Sequence, residues 1–259
     1  IEKLPYMQEL GVSCLYLNPI FEASSNHKYD TGDYKKIDPA FGDEADFQKL
    51  CREAKARGIR VILDGVFNHT GDDSIYFNRY GRYDSLGAYQ SRASRYFNWY
   101  AFSDWPESYE SWWGIKTLPR IRAGSLDFCD YLCDEGGVVK KWLALGADGW
   151  RLDVVDELTD GLVRAIRLAA RQEKPDALLI GEVWEDASNK IAYGERRHYF
   201  EGAELDGTMN YPFRVAILRY AADGDAAALG EAVESIVEDY PKPALDCLMN
   251  NLSTHDTPR

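Results

Sequence analysis

Short apolar segments alternate along the chain with segments whose apolar residues recur at helical spacing. The apolar segments, which we predict to be buried strands, cover 13–18, 59–64, 147–153, 177–182, 205–210 and 244–249. The helical patterns cover 2–10, 43–57, 136–145, 158–172, 212–222 and 225–239. This alternation predicts an α/β fold with a parallel sheet and helical crossovers.

One stretch interrupts this alternation. Residues 70–124 are rich in Tyr, Trp, Ser and Arg and show no clear period. A stretch of this length is too long for a simple loop in a compact domain, which favours a small inserted subdomain. We therefore predict a first barrel part at 1–69, the inserted subdomain at 70–124 and a second barrel part at 125–259.

Polar residues stand where the predicted strands end. They are Asn18, Asp64, Asp153, Glu182, Asn210 and the pair Asn250 and Asn251. A parallel barrel keeps its chemistry at the carboxyl ends of several strands, whereas a doubly wound sheet gathers its ligand at one switch point, usually on a glycine-rich turn. No G-x-G-x-x-G sequence follows the first strand, so we favour a (β/α)8 TIM barrel over an open sheet.

Composition narrows the class of protein. The chain has 259 residues, 45% of them hydrophobic, and a formal net charge of −13. An acidic chain is a poor match for a nucleic-acid phosphate backbone, and no apolar run approaches the roughly 18 residues that span a bilayer. The five cysteines are odd in number, which favours free thiols and a cytoplasmic setting over a disulfide framework.

The pattern of carboxylates indicates a reaction class. Asp153 and Glu182 end consecutive predicted strands, which adjacent positions in a barrel would bring close together. Cleavage of a glycosidic bond needs one carboxylate at the anomeric carbon and one acid on the leaving oxygen. Arg151 shares a strand face with Asp153 and would hold it ionised. A further carboxylate near Glu182, such as Asp256, would favour the protonated acid.

Four polar clusters together carry a family resemblance. These clusters resemble the four signature regions of the α-amylase family of glycoside hydrolases. They are DGVFNH at 64–69, GWRLD at 149–153, GEVW at 181–184 and STHD at 253–256. The stretches 26–34, 112–119 and 209–213 are similar to the neopullulanase, cyclomaltodextrinase and maltogenic amylase branch. The resemblance covers nearly the whole chain and implies a TIM barrel, with the insert forming one wall of the cleft.

The resemblance implies a role for each matching carboxylate. Asp153 matches the nucleophile, Glu182 the general acid/base, and Asp256 the third carboxylate, which grips sugar hydroxyls. Asp64 matches a structural carboxylate near the site. Asn68 matches a position that binds calcium in many α-amylases, and we place it among the structural residues.

The resemblance also implies four substrate-binding residues, to which we add Trp184 because of its position. Arg151, His69 and His255 match the polar lining around the sugar at the cleavage point, and Tyr29 matches the aromatic residue that stacks under that sugar. Trp184 follows Glu182 closely, and we favour a sugar contact for it over a place in the core. For Tyr29 the alternative is ordinary packing, and for the two histidines it is capping of a turn.

Two positions depart from the family pattern. Asp156 and Glu157 stand where many α-amylases have a Lys-His pair, and Arg122 stands near the position of a family Asn. These differences weaken any assignment of linkage specificity. No cofactor and no metal site are predicted, and calcium is left open.

The expected activity is retaining hydrolysis of α-1,4 bonds in maltodextrins, cyclodextrins or pullulan, with α-1,6 bonds left open. Two alternatives stay open: an α-glucan transglycosylase or isomerase, and a non-catalytic sugar- or partner-binding relative. The pattern begins at what resembles the first helix and stops after the seventh strand, so we expect a truncated barrel that lacks the first and eighth strands. Oligomeric state is not predicted.

Overall fold

The computed structural model describes residues 1–258, and the chain divides into two compact units. The first comprises Ile1–Asp153 and Leu168–Leu178, and the second Val154–Arg167 and Leu179–Arg259. The strands in the described part are β1 (Cys14–Leu17), β2 (Phe21–Ala23), β3 (Thr31–Ile37), β4 (Arg60–Gly65), β5 (Phe102–Asp104), β6 (Ser108–Tyr109), β7 (Gly149–Leu152), β8 (Leu178–Gly181), β9 (Ile191–Ala192), β10 (Glu195–Arg196) and β11 (Gly207–Thr208). The helices are α1 (Leu4–Glu9), α2 (Glu44–Lys55), α3 (Leu126–Cys133), α4 (Val138–Ala144), α5 (Asp160–Glu173), α6 (Tyr211–Asp223), α7 (Ala226–Asp239) and α8 (Lys242–Leu245).

Three parallel strands form the centre of the first unit. β4 lies between β1 and β7 and pairs in parallel with both. The β4–β7 register places Asp64 directly beside Arg151. Since residues 61–63 of β4 and 149–150 of β7 are apolar and buried, the polar side chains that follow them are positioned by strands that cannot slip without exposing the core.

Large aromatic side chains fill the core above these strands. Phe21, Tyr34, Phe67 and Trp142 are all at most 2% exposed. The indole of Trp142 donates to the Tyr34 carbonyl at 2.9 Å, and the Tyr34 hydroxyl donates to the carbonyl of His69 at 3.0 Å. This packing holds in place the loop that follows β4.

Helix α2 shows how local sequence sets an element's bounds. The Asp43 side chain accepts from the backbone N–H groups of Ala45 and Asp46, and the Asp46 side chain accepts from the N–H of Asp43. This capping box satisfies donors that the first helical turn leaves free. Beyond the last turn, Gly58 adopts a φ of 70°, the left-handed conformation that commonly ends helices.

The second unit contains a parallel pair and an antiparallel hairpin. β8 and β11 pair in parallel through Ile180 with Gly207, and Met249 forms a parallel bridge with Met209 beside them. β9 and β10 form the hairpin, and α6 and α7 pack against each other. Within residues 1–258, no helix has the length and apolarity that crossing a membrane would demand.

The strand predicted at 244–249 is wrong. Its first residues belong to α8, and only Met249 makes a strand-like bridge. Pro241 and Pro243 explain the difference, because proline lacks an N–H and has a fixed φ, which suits a first helical turn and disfavours the interior of a sheet.

Besides the short elements of the insert, three elements of the first unit have no counterpart among the predicted ones. α3 was not predicted, although Phe128 and Leu132, four residues apart, are both buried. The antiparallel pair of β2 and β3 was also not predicted, because the sequence TGDYKKI of β3 has no apolar run. Its Thr31 and Asp33 are buried only through tertiary packing.

The stretch 70–124 is a compact aromatic cluster with little regular structure. It holds two short 3-10 helices, Phe97–Trp99 and Trp112–Gly114, and the β5–β6 hairpin. Trp99 is 2% exposed and packs in the cluster, whereas Trp113 is 76% exposed. The boundaries of the insert stay a prediction.

Gly149 provides a test of the close strand packing beneath the site. A Cβ at this position would lie 2.2 Å from the carbonyl oxygen of Leu178. We expect Gly149→Ala to lower the free energy of unfolding by about 3 kcal/mol or more, because backbone must move to admit the methyl group. Chemical denaturation measures this loss.

Gly161→Ala is the matched control. This glycine lies in α5 with open space around the position of a Cβ, so alanine should leave stability unchanged or raise it by up to about 1 kcal/mol. Equal stability of the two variants would contradict the close approach at Gly149.

Candidate active site

A buried arginine joins two carboxylates in the first unit. Nη1 of Arg151 donates to both oxygens of Asp64, at 2.8 and 3.0 Å, and to Oδ1 of Asp153 at 2.8 Å. The side chains of Arg151, Asp64 and Asp153 are 1%, 0% and 8% exposed. Charge-assisted hydrogen bonds in such a dry setting fix the orientation of the Asp153 carboxylate.

Two phenols complete the surroundings of Asp64. The hydroxyl groups of Tyr16 and Tyr29 donate to its Oδ2 at 2.5 and 2.8 Å. Burial, and after it the charge of Asp64, raises the pKa of both tyrosines far above the usual value, so both remain protonated donors. Because Asp64 accepts hydrogen bonds from Arg151 and from both phenols, it fixes the positions of these three side chains.

His69 lies under the aromatic cluster of the insert. Its ring is 1% exposed and stacks on Trp112, with centroids 4.9 Å apart and planes 16° apart. Nε2 lies 3.1 Å from the carbonyl oxygen of Tyr29, and Nδ1 lies 3.3 Å from the amide nitrogen of Asn68. Nε2 therefore carries the proton and donates to Tyr29, while Nδ1 accepts from Asn68. Burial lowers the pKa of His69 to about 4, so the ring is neutral at neutral pH.

The main chain around His69 is hydrogen-bonded to the far end of the insert. His69 forms an antiparallel bridge with Arg120. The N–H of Thr70 donates to Pro119, and the N–H of Ile121 donates to Asn68. The loop after β4 is thus one side of a small antiparallel ladder, and the insert provides the other side.

Glu182 in the second unit is held by two neutral donors. Its Oε2 accepts from the N–H of Val154 at 2.8 Å, and its Oε1 accepts from the indole of Trp184 at 3.2 Å. Glu182 is 5% exposed. The Trp184 ring is stacked on Tyr211, with centroids 4.1 Å and planes 7° apart, and is 47% exposed. The indole thus orients the Glu182 carboxylate and also offers an aromatic surface beside it.

Val154 adopts an unusual conformation to reach Glu182. Its φ is 39° and its ψ is 51°, in the left-handed region that β-branched residues rarely enter. Strain of this kind persists only where the surroundings impose it, and it is commonest at functional sites.

His255 and Asp256 lie together in a turn of the second unit. Nε2 of His255 is 3.1 Å from Oδ2 of Asp256, and both side chains are partly exposed. The N–H of Asp256 donates to the Thr254 hydroxyl, and the N–H of Thr254 donates to the Thr257 hydroxyl. These bonds fix the turn that presents the pair.

The structure therefore arranges the predicted residues in three groups. The first group is a connected network in the first unit, made of Tyr29, Asp64, Asn68, His69, Arg151 and Asp153. The second unit holds the other two groups, which are Glu182 with Trp184 and His255 with Asp256. Their roles in binding and catalysis stay predictions.

Sequence reasoning missed three contributors to these groups, namely Tyr16, Trp112 and Val154. A tyrosine inside the apolar run of β1 was a usable signal for Tyr16. No local signal pointed to the backbone of Val154.

A metal ion would need several His, Cys, Asp or Glu side chains that converge on one point. Among residues 1–258, no cluster of three or more His, Cys, Asp or Glu side chains could hold a metal ion. The side-chain amide nitrogen of Asn68 donates to His69, and its backbone carbonyl accepts from the N–H of Ile121.

These features agree with the comparison to known protein families. The chain matches the α-amylase catalytic domain over residues 1–259, and it belongs to that family. Its fold class is that of the TIM-barrel glycosidases, as predicted from the sequence.

Individual relatives show which enzymes of the family the chain resembles in sequence. The chain is 44% identical to an amylopullulanase of Thermoanaerobacterium saccharolyticum over 99% of this chain and 22% of the relative. It is 39% identical to neopullulanase 2 of Thermoactinomyces vulgaris over 100% of this chain and 43% of the relative. These names confirm the predicted branch and add amylopullulanases to it.

A solved structure also supports membership of this family. The cyclic α-maltosyl-(1→6)-maltose hydrolase of Arthrobacter globiformis superposes with a TM-score of 0.87 and 32% identity, over 99% of this chain and 56% of that chain. The chain thus spans between 22% and 56% of the length of these three proteins.

The Arg151 network predicts a large loss of stability on its removal. Arg151→Met would leave the buried carboxylates of Asp64 and Asp153 without their shared cation. We expect the free energy of unfolding to fall by about 3–5 kcal/mol, the usual result of removing one partner from a buried ion pair. Arg60→Met, which removes an exposed arginine paired with Asp176, is the control and should cost less than about 1 kcal/mol. Similar losses in both variants would contradict the network.

The burial of His69 predicts a specific dependence of stability on pH. Because the folded pKa of about 4 lies below the unfolded value of about 6.5, the unfolded state binds the proton first. Stability attributable to His69 is therefore complete above pH 6.5 and falls as the pH drops towards 4. Nuclear magnetic resonance should find the ring neutral at pH 5. His69→Asn should flatten the slope of stability against pH between 6.5 and 4, and an unchanged slope would contradict this assignment.

Proposed function

We propose that the protein is a retaining glycoside hydrolase that cleaves α-1,4 glucosidic bonds, and also α-1,6 bonds, in maltodextrins, cyclodextrins or pullulan. The observation that carries this proposal is the buried contact of Arg151 with Asp153, which presents an oriented carboxylate as a nucleophile requires. The names of the relatives support the substrate class, since they include an amylopullulanase and a neopullulanase.

The proposed mechanism is a double displacement. Asp153 attacks the anomeric carbon while Glu182 protonates the leaving oxygen, which yields a covalent glycosyl-enzyme. Glu182 then removes a proton from water, and the resulting hydroxide displaces Asp153 with net retention of the α configuration. Asp256 grips sugar hydroxyls, Tyr29 stacks under the sugar, and His255 contributes to the polar lining. The mechanism requires no cofactor.

Two details of the geometry support the assignment of Glu182. Its carboxylate accepts from the amide N–H of Val154 and from the indole N–H of Trp184, and these two bonds fix its direction. A group that must give up and regain a proton in each cycle is better served by neutral donors than by a guanidinium.

Transfer to a sugar hydroxyl is the second candidate activity. The half-exposed Trp184, stacked on Tyr211 beside Glu182, favours it, because an aromatic surface next to the acid/base can hold an acceptor sugar in place of water. We also propose a cytoplasmic location, which the five free cysteines of the described chain support.

The test separates the two carboxylates by their chemistry. α-Glucosyl fluoride has a leaving group that needs no general acid, whereas maltotriose needs one. In the natural full-length enzyme, we expect Glu182→Gln to lower kcat on maltotriose by about 10²–10⁴-fold. The first step with α-glucosyl fluoride, followed as the burst of fluoride release, should be much less affected.

Asp153→Asn should abolish turnover of both substrates, because no nucleophile remains. Glu173→Gln, which changes a carboxylate at the end of α5, is the control and should leave both activities unchanged. Full activity of Asp153→Asn would overturn the mechanism. Nuclear magnetic resonance of the first product formed should show the α anomer.

A further inference from the structure

The β9–β10 hairpin of the second unit turns on an unusual pair of residues. Ala192 pairs with Glu195, so the loop consists of Tyr193 and Gly194 alone. Both have positive φ, at 54° and 82°, as a type I′ turn requires. Asn, Asp or Gly normally occupies the first of these positions, because a left-handed conformation costs a bulky residue about 1–2 kcal/mol. A tyrosine kept there despite the strain indicates a task for its side chain.

The Tyr193 side chain is anchored at one end and exposed along the rest. Its hydroxyl donates to Oε1 of Glu157 at 2.5 Å, while the residue as a whole is 72% exposed. An aromatic ring that is fixed in direction yet presents its surface to solvent can bind a flat apolar partner without first losing rotational freedom.

Hydrogen bonds and ion pairs connect residues 190–199, which include the hairpin, to acidic residues of the segment that follows Val154. The hydroxyl of Tyr199 donates to Asp156 at 2.5 Å, and Lys190 lies 3.3 Å from the same carboxylate. Arg197, which is buried, donates to the carbonyl of Leu158 and pairs with Asp160. Asp156 and Glu157, the two departures from the Lys-His pattern, therefore both receive donors from residues 190–199. Their acidic character is explained by this attachment.

The attachment joins the hairpin tip to the segment that contacts Glu182. The N–H of Val154 contacts Glu182, and Glu157 is three residues further on, at the end of the short 3-10 helix Val155–Glu157. Three residues span at most about 11 Å, and fewer in a helix. Since Glu182 is proposed to protonate the leaving oxygen, a hairpin joined to the segment that hydrogen-bonds to Glu182 is a candidate contact for the leaving-group or acceptor part of the sugar chain.

We propose that Tyr193 is a stacking platform for a glucosyl unit on the leaving-group and acceptor side of the cleavage point. The ring contacts the C–H face of the sugar, and the neighbouring Glu157 and Asp156 supply oxygens for its hydroxyl groups. The neutral α-glucan suits such a site, because aromatic stacking and hydroxyl hydrogen bonds need no charge on the ligand. This inference rests on the proposed function and adds a residue that discriminates among chain lengths.

The experiment compares two substrates of the natural full-length enzyme. Maltotetraose extends to the acceptor side, whereas α-glucosyl fluoride has no sugar there. For Tyr193→Ala, we expect the ratio of kcat/KM for maltotetraose to kcat/KM for α-glucosyl fluoride to fall about tenfold, mostly through KM, the loss expected for one aromatic contact. Transfer of glucose from α-glucosyl fluoride to maltose should fall in parallel.

Two further variants separate stacking from a merely structural role. Tyr193→Phe keeps the ring and loses the hydroxyl contact with Glu157, and its ratio should fall less than threefold. Tyr220→Ala removes an exposed tyrosine of α6 and should leave the ratio unchanged. Thermal melts confirm that each variant is folded.

The outcomes distinguish the inference from the proposed function. If the wild type turns over neither substrate, the proposed function fails. If the wild type is active but Tyr193→Ala leaves the ratio unchanged, the platform alone is overturned. If Phe and Ala lower the ratio equally, the hydroxyl contact rather than the ring is responsible, and stacking is overturned.

Discussion

The burial of one guanidinium between two carboxylates is the constraint on which the first unit depends. Removing a charge from water costs several kcal/mol, and only close, well-directed partners offset this cost. Arg151 meets this requirement because β4 and β7 pair in a register that sets Asp64 beside it, and because Asp153 follows two residues later on the same face. The close approach at Gly149 and the two phenols on Asp64 are parts of the same arrangement.

The two proposed catalytic carboxylates are held by different chemistry. Asp153 receives a charge-assisted hydrogen bond from a buried cation, whereas Glu182 receives bonds from an amide and an indole. A cation opposes protonation of its partner far more strongly than a neutral donor does. The two proposed catalytic carboxylates are therefore oriented by different kinds of hydrogen-bond donor.

Much of this could be predicted from the sequence, for identifiable reasons. Apolar runs that end in a carboxylate located β4, β7 and β8 to within a residue or two, and the even spacing of Arg151 and Asp153 correctly placed them on one face. Elements whose burial depends on tertiary packing were not predicted, among them the polar strand β3 and helix α3. The left-handed backbone of Val154 could not have been predicted, because the intrinsic preference of valine opposes it.

The ladder between the loop after β4 and the insert has an evolutionary consequence. Residues 68–70 find their backbone partners at 119–121, so the two segments form one folding element despite their separation in sequence. The stretch 70–124 therefore cannot be exchanged between relatives as an independent cassette. A chimera that imports it would also import Trp112 and the other neighbours of His69, and would need to reproduce the strand register at both junctions. Sequence changes in the insert should therefore accompany sequence changes in the residues around His69.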